Sequence, residues 1–122
     1  MPKKTNEISE AELEIMKILW ANGNPLNAQE VCDTLVNKEW TYSTVSTLFG
    51  RMVEKGAVTY EKRGRFYYYS PTISEDEYKQ LQTKNFIANL YDGSVKKLAV
   101  SLFKTGDLST ADVEEIKKMF NL

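Results

Sequence analysis

Residues 40–56 read WTYSTVSTLFGRMVEKG, and the way this stretch folds decides how the rest of the chain is read. Thr41 stands where an N-cap belongs, its hydroxyl able to accept from the amide of Thr44, and Gly56 stands where a helix ends in a left-handed residue. A helix from about Tyr42 to Lys55 is predicted. Val45, Leu48, Phe49, Met52 and Val53 recur at three- and four-residue steps and make one apolar face. Ser43, Ser46, Thr47, Gly50 and Arg51 fall on the other. One face is core; the other is a row of small hydroxyls with one cation, available to read a partner.

Downstream the period changes. Residues 57–62, AVTYEK, and 65–70, RFYYYS, are β-favouring runs separated by Arg63-Gly64, which predicts a tight hairpin turn at those two residues. Local charge gathers here: Arg51, Lys55, Lys62, Arg63 and Arg65 lie within fifteen residues, opposed only by Glu54 and Glu61. A solvated hairpin tip could carry such cations, but phosphate contact is favoured over it. Tyr67, Tyr68 and Tyr69 could suggest a stacking surface for single strands. Alternate residues of a strand face inward, however, and that surface needs its rings in solvent.

Upstream, Ser9-Glu10-Ala11-Glu12 has the form of a capping box and starts a helix at about Glu10. Leu13, Ile15, Met16, Leu19 and Trp20 make its apolar stripe, with Trp20 expected in the core, and Asn22-Gly23-Asn24-Pro25 stops it. Asn27 and Glu30 repeat the cap pattern and open a short helix that offers Ala28, Val31, Cys32, Leu35 and Val36 for packing. Cys32 reads as a small buried hydrophobe, and Asn37-Lys38-Glu39 as a loop. Three helices followed by a hairpin is the winged-helix order. In it the second and third helices form a helix-turn-helix, the third enters the major groove, and the hairpin is the wing beside it.

Pro71 ends the wing, and Ser74 with Glu77 caps a further helix to about Leu90. Asp92-Gly93-Ser94 breaks it; a second segment covers about Ser94 to Phe103, and Ser109 with Asp112 opens a last helix. The apolar residues are Leu81, Phe86, Ile87, Leu90, Val95, Leu98, Leu102, Phe103, Val113, Ile116, Met119 and Phe120. A segment of roughly fifty residues is marginal as an independent core. These residues are therefore expected to meet the same region of a second copy, since two-fold homodimers are the commonest assembly, the alternative being packing back onto the winged helix of the same chain. The expected organisation is mainly α with a small β-hairpin: residues 1–72 a winged-helix DNA-binding domain, residues 73–122 a helical dimerisation domain.

Composition removes most other chemistries. The chain has 122 residues, 42% hydrophobic and 11% aromatic, no histidine, a single cysteine and a formal net charge of −1. Without histidine there is no Ser-His-Asp or Cys-His arrangement, and with one thiol no Cys/His zinc set. No cofactor or metal is expected, and no catalytic residue. Net charge alone does not point to nucleic acid, so binding must come from the local basic patch. No apolar run approaches the ~18 to 20 residues of a membrane span and no signal peptide is readable, which predicts a cytoplasmic protein without membrane insertion.

End to end, the chain resembles the BlaI/MecI penicillinase-repressor family, whose relatives include the copper-responsive CopY repressors. The resemblance is carried by Glu12-Leu13-Glu14-Ile15-Met16-Lys17-Ile18-Leu19-Trp20, by Trp40-Thr41 with Thr44-Val45 and Thr47-Leu48 leading to Arg51 and Lys55-Gly56, and by Tyr68-Tyr69-Ser70-Pro71. It implies a dimeric transcriptional repressor of a resistance or stress-response operon, bound to a pseudo-palindromic operator of the TACA/TGTA kind. It also implies a membrane metalloprotease sensor that relieves repression by cleaving the dimerisation domain. The matching bond is Ser101-Leu102, where the family typically has Asn-Phe. The copper-responsive relatives end in a cysteine cluster, and Cys32, far from the C-terminus, does not supply one. Relatives often carry basic residues where this helix has Ser43 and Ser46.

The residues expected at DNA are Thr41, Ser43, Thr44, Ser46, Thr47, Arg51, Lys55, Lys62, Arg63 and Arg65. One helix arginine makes a weak reader, because single hydroxyl contacts discriminate less than the roughly 1 to 3 kcal/mol of a bidentate arginine–guanine pair. Dimerisation would compensate. The alternative from another class is a winged-helix module that binds a protein, with incidental cations and no sequence-specific DNA binding.

Overall fold

The structure, a computed structural model, describes residues 8–35 and 39–120. Helices α1 (Glu10–Asn22), α2 (Ala28–Thr34) and α3 (Tyr42–Glu54) precede strands β1 (Val58–Arg63) and β2 (Phe66–Pro71). Helices α4 (Glu75–Leu90), α5 (Val95–Lys104) and α6 (Thr110–Phe120) follow. The chain is mainly helical with one hairpin, as predicted. Val36, Asn37, Lys38 and the side chain of Phe120 lie outside the described residues.

Local sequence sets the helix starts. The Ser9 hydroxyl accepts from the Glu12 amide at 3.2 Å while Glu12 Oε1 accepts from the Ser9 amide at 3.0 Å, so two otherwise orphaned donors are satisfied reciprocally. Asn27 with Glu30, Ser74 with Glu77 and Ser109 with Asp112 repeat that exchange at α2, α4 and α6. Thr41 caps α3 alone, accepting from the Thr44 amide at 3.1 Å. At the other end of α3 the chain leaves through Gly56, at φ 79°, a conformation that costs a side-chain-bearing residue energy.

The chain divides into two compact units, one ending at Gln80 and one beginning at Leu81. In the first, α3 packs on α2, α1 and β1. Ile15, Met16, Leu19, Val31, Val45, Phe49 and Met52 are each no more than 1% exposed, so the apolar stripes predicted for α1 and α3 meet in one core. Glu12 is buried with them and is neutralised by Lys55, whose Nζ lies 2.7 Å from Glu12 Oε1. Trp20 packs against this core without being engulfed. Its indole N–H donates to the Ile73 carbonyl at 3.0 Å, and its ring centroid lies 5.7 Å from that of Tyr78, so the first turns of α4 belong to this unit.

Three points depart from or go beyond the expectations. The two-residue hairpin loop is Gly64-Arg65, not Arg63-Gly64: Arg63 pairs with Phe66, and Lys62 faces Tyr67. Gly64, at φ 64°, takes the first loop position and Arg65 has a negative φ, the requirement of a type II′ turn. The predicted turn would have put Arg63 where only glycine is comfortable. Secondly, Leu26 is strand-like, exchanging hydrogen bonds with Tyr69 at 3.1 and 2.8 Å, so the α1–α2 connection adds a third, one-residue rung to the hairpin. A single extended residue carries no alternation by which to find it. Thirdly, Cys32 is half-buried rather than enclosed, its thiol donating to the Trp40 carbonyl at 3.5 Å.

The second unit holds the rest of α4 with α5 and α6. Asp92, at φ 53°, and Gly93, at φ 78°, turn the chain between α4 and α5. None of its described residues is buried, and Leu90, Val95, Phe103 and Met119 are more than half exposed. Thr83, Ile87, Val95, Leu98, Ala99, Leu102, Leu108 and Ile116 line an open apolar groove of about 470 Å³. Ser101 and Leu102 lie within α5, where the Ser101 hydroxyl accepts from Tyr91 at 3.2 Å.

Candidate nucleic-acid interface

Because Val45, Leu48, Phe49 and Met52 are drawn into the core, the opposite face of α3 is turned to solvent. Ser43, Thr44, Thr47 and Arg51 are exposed along it, and Ser46 is half-exposed. Thr41 and Thr44 are already engaged with each other, their hydroxyls 3.2 Å apart, which fixes the N-terminal end of the row. No acidic side chain lies in the first turn, so the partial positive charge of that helix end is uncancelled and favours an anion.

The wing presents its cations on two faces. Side chains alternate along β1, so Tyr60 and Lys62 share one face with Tyr67 and Tyr69, while Glu61 and Arg63 share the other with Phe66 and Tyr68. Lys62 Nζ sits 5.9 Å from the Tyr67 ring centroid. Arg63 lies 5.0 Å over the Tyr68 ring, and its guanidinium donates to Glu61 Oε1 at 3.1 Å. Both pairs are exposed and contribute little to stability, but they restrict where each charge points. Arg65, in the turn, and Arg51 have no ion-pair partner among the described residues. Lys55 differs from the other expected cations: its charge is held by buried Glu12 at the base of the helix.

The wing is seated on α3 through aromatic rings. Tyr69 stacks on buried Phe49 with centroids 3.8 Å apart and planes 5° from parallel. Burial raises the pKa of Tyr69, and the neighbouring phenols of Tyr42, Tyr67 and Tyr60 push it further up. Tyr60 lies edge-on to Tyr67 at 5.2 Å and tilted to Tyr69 at 6.2 Å. Sequence reasoning passed over Tyr42 and Tyr60, and the strand alternation that puts Tyr60 beside Tyr67 and Tyr69 is the signal that could have found the latter. Among the described residues no group of three or more acidic, cysteine or histidine side chains could hold a metal ion, and no helix is long and apolar enough to cross a membrane.

A helix-turn-helix with a polar-faced third helix and a basic hairpin seated beside it defines a winged-helix protein of the DNA-binding type. The chain belongs to the penicillinase repressor family, whose model matches residues 8–121. It is 31% identical over 115 residues to the penicillinase repressor of Bacillus licheniformis, covering 93% of this chain and 89% of that one. It is also 31% identical over 121 residues to the methicillin resistance regulatory protein MecI of Staphylococcus aureus strain N315, covering 99% and 98%. Its structure is similar to the solution structure of the DNA-binding domain of the repressor BlaI, at TM-score 0.54 and 37% identity over 63% of this chain and 93% of that one. The family is one of transcriptional repressors, not of enzymes.

Proposed function

We propose that this chain is a homodimeric transcriptional repressor that binds a pseudo-palindromic duplex operator and controls a resistance or stress-response operon in the cytoplasm. The observation that carries it is the uncancelled polar face of α3 beside the wing cations, on a fold similar to the DNA-binding domain of BlaI. Residues 1–72 would bind DNA and residues 73–122 would dimerise. Ser43, Thr44, Ser46, Thr47 and Arg51 read the groove; Lys62, Arg63 and Arg65 meet phosphates. Thr41 acts through the cap that holds the helix end, and Lys55 through its pairing with Glu12.

The dimer is supported by the second unit, whose described apolar side chains are at most half-buried. Its occupant would be the same surface of a second copy, which would set two α3 helices on two half-sites. A membrane metalloprotease sensor would end repression by cutting at Ser101-Leu102. That bond lies inside α5, so cleavage requires local unwinding of the helix.

Selection of bound duplexes from a random pool tests the central claim: a palindrome should enrich, with affinity falling steeply in salt. Failure to enrich any sequence at low salt overturns it. On the enriched duplex, Arg51→Ala should relax base preference by about 1–3 kcal/mol at one position, whereas Arg65→Ala should weaken all sequences alike and lower the salt slope by about one.

A further inference from the structure

The aromatic face of the wing has a role that its seating on α3 does not explain. Of the three tyrosines on this face, Tyr69 makes the ring contact with α3, through its stack on Phe49. Tyr60 and Tyr67 continue outward from it, 52% and 45% exposed, and Tyr42 stands 47% exposed at the first position of α3. None of these three hydroxyls has a hydrogen-bond partner among the described residues. The rings of Tyr60 and Tyr67 already have neighbours on their faces or edges. Tyr67 carries Lys62 near its face and meets Tyr60 edge-on, and Tyr60 is flanked by Tyr69 on its other side. With these ring faces engaged, the hydroxyls of the half-exposed side chains are the polar groups left for a partner. The same hairpin face carries a cation and no carboxylate, because alternation sends Glu61 to the opposite face, where Arg63 binds it.

On the reading of α3 as a duplex-binding helix, we propose that the hydroxyls of Tyr42, Tyr60 and Tyr67 donate to phosphate oxygens of the duplex alongside α3, with Lys62 supplying the charge. Phenols are suited to this position: their apolar bodies pack on one another while the polar tip reaches a partner, and tyrosine hydroxyls are regular donors to the DNA backbone. The wing then contributes a neutral, salt-insensitive part of the affinity as well as a charged one. The side chains that hold register on the backbone extend beyond the lysines and arginines.

The test uses the full chain and the palindromic duplex selected above. Tyr42→Phe, Tyr60→Phe and Tyr67→Phe remove only exposed hydroxyls, so the thermal midpoint should not move. Each should weaken duplex binding about three- to tenfold, the worth of one hydrogen bond. The slope of log affinity against log salt should stay that of the parent, because a neutral donor displaces no counterion, while Lys62→Ala should lower it by about one. Parent-like affinity in all three phenylalanine variants overturns the proposal. So does tight binding of a single-stranded oligonucleotide that phenylalanine preserves, which would make the rings a stacking platform. A parent chain that enriches no duplex sinks the repressor function itself, a different failure from a parent that binds and variants that match it.

Discussion

Among the described residues, Phe49 and Met119 stand at opposite ends of apolar burial, the first wholly enclosed and the second 72% exposed. Both sit on amphipathic helices with legible apolar stripes. They differ in what the rest of their unit offers. Around Phe49, two further helices and a hairpin close on one core, with Tyr69 laid flat on its ring. Around Met119 there are three helical segments, none of whose described residues is buried. A hydrophobic stripe therefore identifies a surface that must be covered; it does not say whether its own chain covers it.

The contrast can be broken first at its strongest point. Phe49→Ala removes a fully buried ring and its stack with Tyr69, and should destabilise the chain by about 3–5 kcal/mol, read by denaturant unfolding at fixed protein concentration. A loss below about 1 kcal/mol would mean that the first unit is not held by this core. In the second unit the matching change is Leu98→Glu, in the apolar groove. It should convert a dimer to a monomer by sedimentation and reduce affinity for a full palindrome by about 10²- to 10⁴-fold, leaving half-site binding intact. An unaltered sedimentation coefficient would show that this groove is not the interface.

The Glu12–Lys55 pair sharpens the comparison further, since it is a charge that only a closed core could hold. Glu12→Gln keeps an acceptor for the Ser9 amide but removes the negative charge from the Lys55 contact. Lys55 retains access to water, with its side chain 26% exposed, so the cost should be about 1–3 kcal/mol, below that of a fully buried pair. A melting curve identical to the parent's would rule out a structural role for the pair.

The smallest expected effect is alkaline. Burial, and then its phenolic neighbours, raise the pKa of Tyr69 above the usual tyrosine value, and burial and then Glu12 raise that of Tyr78. For both, the folded pKa exceeds the unfolded one, so their stabilising contribution is complete below the unfolded pKa. It is lost as pH rises through the folded pKa. Stability of the first unit should decline from about pH 10 upward. Tyr69→Phe should flatten that decline without lowering stability at neutral pH; an unchanged alkaline profile would remove Tyr69 from its cause.

Legibility in the sequence followed locality. The four reciprocal caps, the Thr41 cap, the stop at Gly56 and the inward set of α3 each depend on residues within one turn or one stripe, and each is found as predicted. Contacts across long separations were not legible. Leu26 pairing with Tyr69, Trp20 reaching the Ile73 carbonyl and Lys55 closing on Glu12 depend on how the elements meet in space. The hairpin turn was displaced by one residue because two flanking arginines look alike in composition, whereas the demand for positive φ at Gly64 distinguishes the two registers. Among the residues proposed to meet DNA, the α3 row followed from its helical period. The different situation of Lys55 did not, since its partner is 43 residues away.

The base of the hairpin has one more consequence. The Thr72 hydroxyl donates to the Gly56 carbonyl at 2.6 Å and its amide to the Ala57 carbonyl at 2.9 Å, Leu26 clasps Tyr69 from the side, and Phe49 lies beneath. The wing is thus clamped to the domain at its root, from several directions. Conformational entropy that a loose wing would surrender on meeting a ligand has already been lost in folding. Whatever affinity the wing contributes is then spent on contact rather than on ordering the wing.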